Sequence, residues 1–173
     1  MNKLFYYSKS RDVAPGKGTN EMLENQDDFQ ALKNIKDWRK ILSNFYVEKF
    51  VYNGHTYNSV EHAFQAAKIA LVDKNKAFWF TLESGHEIGL GGGDVAQKNR
   101  KLIKLNKSQL GEWDIIKYDV MINITKERIK QSETYQKVLI ETKKSELWHI
   151  QVRKSPIRNT YLEDIRSEYI IYI

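Results

Sequence analysis

Apolar and polar positions along this chain switch between two periods, and the switches set out its elements. Leu4-Phe5-Tyr6-Tyr7 is a short unbroken apolar run, as a buried strand supplies. Between residues 27 and 40, Phe29, Leu32, Ile35 and Trp38 recur at helical spacing and predict one helix or two turns of one. Phe50-Val51-Tyr52 and His55-Thr56-Tyr57 are aromatic and β-branched runs either side of Asn53-Gly54, the pair that a type I′ hairpin turn favours. A helix should follow at once, with Asn58 as cap and Glu61 three residues on completing a capping box. Its buried stripe is Val60, Ala63, Phe64, Ala67 and Leu71. Further helices are expected over residues 74–82 and, capped by Asp94, over residues 95–101. Ile116, Val120 and Ile124 mark another, beginning after Trp113-Asp114. Residues 126–142 read as one charged amphipathic helix, and residues 159–166 as the last, after Pro156. Many helices with a few short strands predict an α+β, mainly helical fold with a small sheet and a hairpin. With no repeat, linker or low-complexity tract, a single domain over residues 1–173 is expected.

Composition narrows the chemistry. At 173 residues, 41% apolar and 12% aromatic, the chain can bury a core. The absence of cysteine excludes disulfides and thiolate chemistry and fits a reducing compartment. No window approaches the length of an apolar membrane span, and the N-terminus lacks a signal-peptide core. A soluble, intracellular, cytoplasmic protein without membrane contact is expected. His55, His62, His86 and His149 show no metal-ligand spacing, so neither catalytic metal nor cofactor is expected. The net charge of +6 favours an anionic partner, either nucleic acid or a phosphorylated small molecule.

Candidate chemistry gathers at a few places. Glu61, Gln65 and Lys68 share a second stripe of the central helix, putting an acid, an amide and an amine beside small alanines. That suits a polar ligand; the same residues also read as a cap, a solvated amide and a surface lysine. Ser43 and Asn44 are polar residues between apolar neighbours and need partners, from backbone or ligand. Lys17 lies in the Pro15-Gly16-Lys17-Gly18 loop, and Lys98 just beyond Gly89 to Gly93. Glycine beside positive charge lets backbone approach a phosphate, although neither stretch is a Walker loop. Trp113, Lys117 and Met121 share one stripe of their helix, where an indole stacks a base or packs on the lysine stem. Arg153 is a candidate for phosphate or carboxylate contact.

Leu42-Ser43-Asn44-Phe45-Tyr46, followed by Tyr52-Asn53-Gly54-His55-Thr56-Tyr57-Asn58-Ser59-Val60-Glu61-His62-Ala63-Phe64-Gln65-Ala66-Ala67-Lys68, resembles the NADAR family, also called YbiA-like. The family pattern there is SNF, a strand with a glycine turn, then SVEHxxQxxK. The run from Glu112 to Met121 is similar to its second signature, an aromatic followed by K and VM. The resemblance extends from about Tyr6 to Arg166.

It implies cleavage of a C–N bond at a ribose anomeric carbon. The substrate that the resemblance implies is ADP-ribose on guanine in nucleic acid or, alternatively, a phosphorylated early intermediate of riboflavin synthesis. A non-catalytic module that binds ADP-ribose is a third reading. The implied catalytic set is Glu61, Lys68, Lys117 and Asp119, with a lysine imine as one route. Substrate contacts are expected at Lys17, Ser43, Asn44, Phe45, His62, Gln65, Lys98, Trp113, Met121, Trp148 and Arg153. The expected partner is ADP-ribosylated nucleic acid or an ADP-ribose-like small molecule; oligomeric state stays open. The Trp-Gly-x-Gly motif of many members is missing, and Trp148-His149 and Arg153 occupy its region.

Overall fold

A computed structural model describes residues 1–171. In chain order it contains β1 (Lys3–Tyr6), a 3-10 turn (Gln26–Phe29), α1 (Gln30–Lys33), α2 (Trp38–Ile41), β2 (Phe50–Tyr52), β3 (His55–Tyr57) and α3 (Val60–Ile69). There follow α4 (Lys74–Phe78), α5 (Glu87–Leu90), α6 (Gly93–Lys98), a 3-10 turn (Asn99–Lys101), α7 (Lys107–Gln131), α8 (Glu133–Glu141), β4 (Glu146–His149), β5 (Ile157–Arg158) and α9 (Thr160–Ile171). The fold is α+β and mainly helical, as the apolar periodicity predicts. Two compact units are formed: the chain ends, residues 1–43 with 132 onward, make one, and the continuous segment 44–131 the other.

In the unit made by the chain ends, β1 pairs in parallel with β4, and β5 adds antiparallel to β4. Leu4 and Leu147 face each other across the pair and are fully buried. Helix expected over residues 27–40 is broken here. Asp37 takes left-handed backbone (φ 56°) between α1 and α2, a conformation Asp tolerates better than most residues. Phe29, Leu32 and Trp38 are still buried and Ile35 is half-buried, so the apolar spacing reports most of the burial while missing the break.

In the central unit, Asn53 (φ 49°) and Gly54 (φ 78°) turn the β2–β3 hairpin in the left-handed region, with Tyr52 opposite His55. Helix α7 starts before its expected origin and passes straight through Gly111. Asn106 and Gln109 cap it reciprocally: Asn106 Oδ1 accepts from Gln109 N (2.8 Å) and Gln109 Oε1 from Asn106 N (2.9 Å). The single helix expected over residues 126–142 is two: α7 ends within the central unit, and α8 belongs to the unit made by the chain ends. Ser132 is extended, and its hydroxyl caps α8 by accepting from Tyr135 N at 3.0 Å. Helix α3 is the centre of the central unit. Val60, Ala63, Ala66 and Ile69 are buried in one core with Phe50, Tyr57 and Phe80.

Candidate functional site

The start of α3 decides which polar groups are free. The cap is Ser59, one residue beyond the Asn58 that the sequence pattern suggests. Ser59 Oγ accepts from His62 N at 3.3 Å and lies 2.7 Å from His62 Nδ1. The Ile88 carbonyl, 2.9 Å from Nε2, can only accept, so Nε2 carries the proton and Nδ1 accepts from the Ser59 hydroxyl. Burial holds the His62 pKa below its ordinary value, against the pull of the Ile88 carbonyl and of Asp94. His62, expected as a substrate contact, is instead a fully buried bracket between α3 and α5, with both ring nitrogens occupied. Asn58 is released from capping, and its amide donates to the carbonyls of Leu90 and Gly91.

The shifted cap also releases Glu61. Its backbone N donates to the Asn44 carbonyl at 3.0 Å, so the SNF segment fixes the first turn of the helix. Glu61 is 7% exposed, and its carboxylate accepts a hydrogen bond from Gln65 Nε2 at 2.8 Å, one helical turn on. Burial pushes its pKa above the ordinary carboxylate value; the Gln65 hydrogen bond and the charges of Arg100 and Lys68 pull it back. Among the described residues no cation reaches ion-pair distance of it. Gln65 is 5% exposed and Lys68 half-buried, so the acid–amide–amine stripe is an interior feature of α3.

The alanines do not leave room beside that stripe. Ala63, Ala66, Ala67 and Ala70 lie on the opposite face of α3, where they floor a cavity of about 260 Å³ shared with the hairpin and α4. The space that these alanines leave is therefore on the far side of the helix from Glu61.

Other expected contacts in this unit fall into three kinds. Trp113 is 4% exposed, and its ring packs on Phe64 with centroids 5.0 Å apart and planes tilted by 52°. An indole so buried is a wall behind Phe64 rather than an open stacking platform. Met121 lies on α7, with its sulfur accepting from Asn44 Nδ2 at 3.7 Å. Lys117, Asp119 and Lys98 are exposed; Lys117 pairs with Asp114 at 2.8 Å and Lys98 with Asp94 at 3.8 Å.

The glycine-dense stretch is ordered rather than a flexible phosphate loop. It forms α5 and the start of α6, whose cap is Gly92 rather than Asp94. A Cβ on Gly89 would lie 2.1 Å from the Thr81 carbonyl oxygen, and one on Gly93 would lie 2.4 Å from Phe45 Cα. Both glycines let backbones touch, and the second seats the Phe45 backbone.

In the unit made by the chain ends, the Lys17 loop already holds an anion. The Glu21 carboxylate accepts from the backbone N–H groups of Gly16 (2.9 Å), Gly18 (3.0 Å) and Phe5 (3.3 Å). It also takes a two-pronged contact from Arg39, Nε at 2.8 Å and Nη2 at 2.7 Å. The phosphate cradle expected around Lys17 is thus filled from within, and the Lys17 side chain is exposed. Sequence reading passed over Arg39 and Glu21, which only the fold brings together. Ser43 is buried. Trp148 stacks on Phe5 (5.9 Å, 15°) and donates to Glu146 at 2.9 Å. Arg153 is exposed on left-handed backbone. Lys17, Ser43, Trp148 and Arg153 therefore belong to a different compact unit from Glu61.

Among the described residues no group of three or more His, Asp or Glu side chains is placed to hold a metal, and no helix is long and apolar enough to cross a membrane. The model of the NADAR domain matches residues 29–156, about three-quarters of the chain. The chain belongs to the NADAR family. Its fold is similar to the NMR structure of the E. coli protein YbiA, at a TM-score of 0.58 and 15% identity over 99% of this chain and 88% of that one. No curated protein matches it. NADAR proteins are associated with N-glycosidase activity. The matched span contains Asn44, Glu61, Gln65, Trp113 and Met121, which the central unit holds around α3 and α7.

Proposed function

We propose that this NADAR protein is an N-glycosidase-type hydrolase that cleaves the C–N bond at a ribosyl anomeric carbon, and that its substrate is ADP-ribose carried on guanine in nucleic acid. One contrast carries this reading. Glu21 and Glu61 both have buried side chains, yet among the described residues Glu21 receives five hydrogen bonds including an arginine fork, whereas Glu61 receives one, from an amide. Glu21 is spent on structure. Glu61 keeps most of its accepting capacity while being poorly solvated.

Such a carboxylate suits the reaction. As the C–N bond breaks, positive charge grows on the anomeric carbon and the neighbouring ring oxygen. An ionised Glu61 out of bulk water stabilises that charge more than a solvated carboxylate does. It can equally take a proton from the attacking water. The upward pKa shift brings it towards the operating pH, where a general base is most effective. Arg100 and Lys68, whose charges act on Glu61, supply positive potential for an anionic substrate. For a route through a lysine imine, Lys68 shares the Glu61 flank of α3, whereas Lys117 is exposed and held by Asp114.

The test is incubation of the full chain and of Glu61→Gln with ADP-ribosylated guanine DNA and, separately, with phosphorylated riboflavin precursors. Release of ADP-ribose by the wild type, reduced roughly 10²- to 10⁴-fold in the variant, is expected. A variant that works at the wild-type rate removes Glu61 from the chemistry. Release from the riboflavin precursor alone keeps the bond type and replaces the substrate. Borohydride trapping of a lysine–sugar adduct under turnover identifies the imine route.

A further inference from the structure

One atom beside Glu61 has no partner. Gln65 is 5% exposed, and its Oε1 is buried without accepting a hydrogen bond from any described residue. The other half of the same amide is committed, since Nε2 donates to Glu61 Oε1 at 2.8 Å. Folded proteins satisfy nearly all buried acceptors, and one left open next to a candidate catalytic group is a place where a ligand can bring the donor.

We infer that Gln65 reads the sugar: its carbonyl oxygen accepts the hydroxyl on the carbon next to the anomeric carbon, which makes the site selective for ribosyl over 2-deoxyribosyl glycosides. The inference rests on the glycosidase reading above and deepens it. Oε1 and Nε2 share one amide carbon, so the open acceptor stands one group away from the carboxylate. The vicinal hydroxyl stands one carbon away from the atom that Glu61 would face. Both candidate substrates carry this hydroxyl. It also becomes a better donor as the anomeric carbon turns cationic, so the hydrogen bond tightens in the transition state. Selectivity should then fall on kcat more than on KM.

The experiment is a cycle crossing the wild type and Gln65→Met with a pair of N-glycosides that differ only in that hydroxyl. Gln65→Met also loosens Glu61, so it slows both sugars. The readout is the change in the ribosyl-to-deoxyribosyl ratio of kcat/KM, because the two sugars differ in intrinsic reactivity. The ratio is expected to fall by roughly tenfold to a hundredfold, as for a site that loses its hydroxyl partner. Equal slowing of both sugars overturns the inference and leaves Gln65 as a support for Glu61. Gln65→Leu and a thermal melt guard against a folding defect in either variant.

Calorimetry with ADP-ribose and its analogue lacking the hydroxyl on the terminal ribose separates the two claims. A Gln65-dependent preference in binding without turnover supports the inference and sinks the hydrolase. Turnover with an unmoved ratio does the reverse. A wild type that neither binds nor cleaves either sugar overturns both.

Discussion

The carboxylate of Glu21 should hold together the loop that the sequence suggested as a phosphate cradle, and the energy at stake is large. Its side chain is fully buried and that of Arg39 is 4% exposed. The guanidinium also donates to the carbonyls of Val13 and Ala14 and lies 4.1 Å over the Trp38 ring. Glu21→Gln keeps the size and removes the charge. It leaves a buried cation without its counter-ion and turns an amide NH₂ towards donors, which should cost about 3–5 kcal/mol. Urea denaturation measures this as a lower midpoint at unchanged slope. Glu21→Ala should be rescued in part by inorganic phosphate, since the N–H groups of Gly16 and Gly18 and the Arg39 fork would then face an anion-sized gap. Chloride at matched ionic strength should not rescue, and phosphate should leave the wild type unchanged. A Glu21→Gln midpoint within about 1 kcal/mol of wild type would refute the account, because the pair would then be doing no more than a surface ion pair does.

Stability should also depend on pH through Glu61. Its folded pKa is raised above the ordinary 4.5, so the folded state holds the proton more tightly than the unfolded chain does. Its contribution is then complete below the unfolded value and lost as pH rises through the folded one. Glu61→Gln, which cannot ionise, should therefore gain in melting temperature relative to wild type between acid and neutral pH; a constant difference across that range refutes the shift. Two glycine replacements should have opposite signs. Gly89→Ala drives a methyl to 2.1 Å from the Thr81 carbonyl oxygen and should cost about 3 kcal/mol or more. Gly111→Ala meets nothing within 4 Å inside α7 and should gain about 1 kcal/mol, both read by chemical denaturation. Ser59→Ala removes the α3 cap and the His62 partner and should cost about 1–2 kcal/mol, whereas Asn58→Ala should not remove that cap. A Ser59→Ala variant as stable as wild type would refute Ser59 as the cap.

Short-range signals carried much of the fold. Asn53-Gly54 specifies its turn because few residues accept left-handed backbone, and the hairpin forms where the pattern places it. The apolar spacing of α3 and α7 marks only part of what is buried: Val60, Ala63 and Ile124 are, whereas Phe64, Ala67, Leu71, Ile116 and Val120 are half-buried, and Ala66 and Ile69, off the expected stripe, fill the core. Signals one residue out of step were harder. Asn58 and Ser59 can both cap, and the choice falls to Ser59 because His62 fills the third helical position and the Asn58 amide finds carbonyls at the end of α5. The breaks at Asp37 and Ser132 interrupt apolar patterns that run on across them.

What the sequence by itself determined, then, was the hairpin, the helix that follows it and the mainly helical class, because those depend on neighbours within a turn or two, whereas α5, β4 and β5 were not legible in it. Only the tertiary structure decided which polar groups are consumed. Glu21 meets Arg39 across eighteen positions and Gly89 meets Thr81 across eight, and such pairings depend on how the chain folds back on itself. The same packing buries Glu61 with a single amide partner and leaves the carbonyl oxygen of that amide open. Desolvation is a property of the whole surroundings, so neither the raised proton affinity of Glu61 nor the free acceptor on Gln65 could be read from a string of residues.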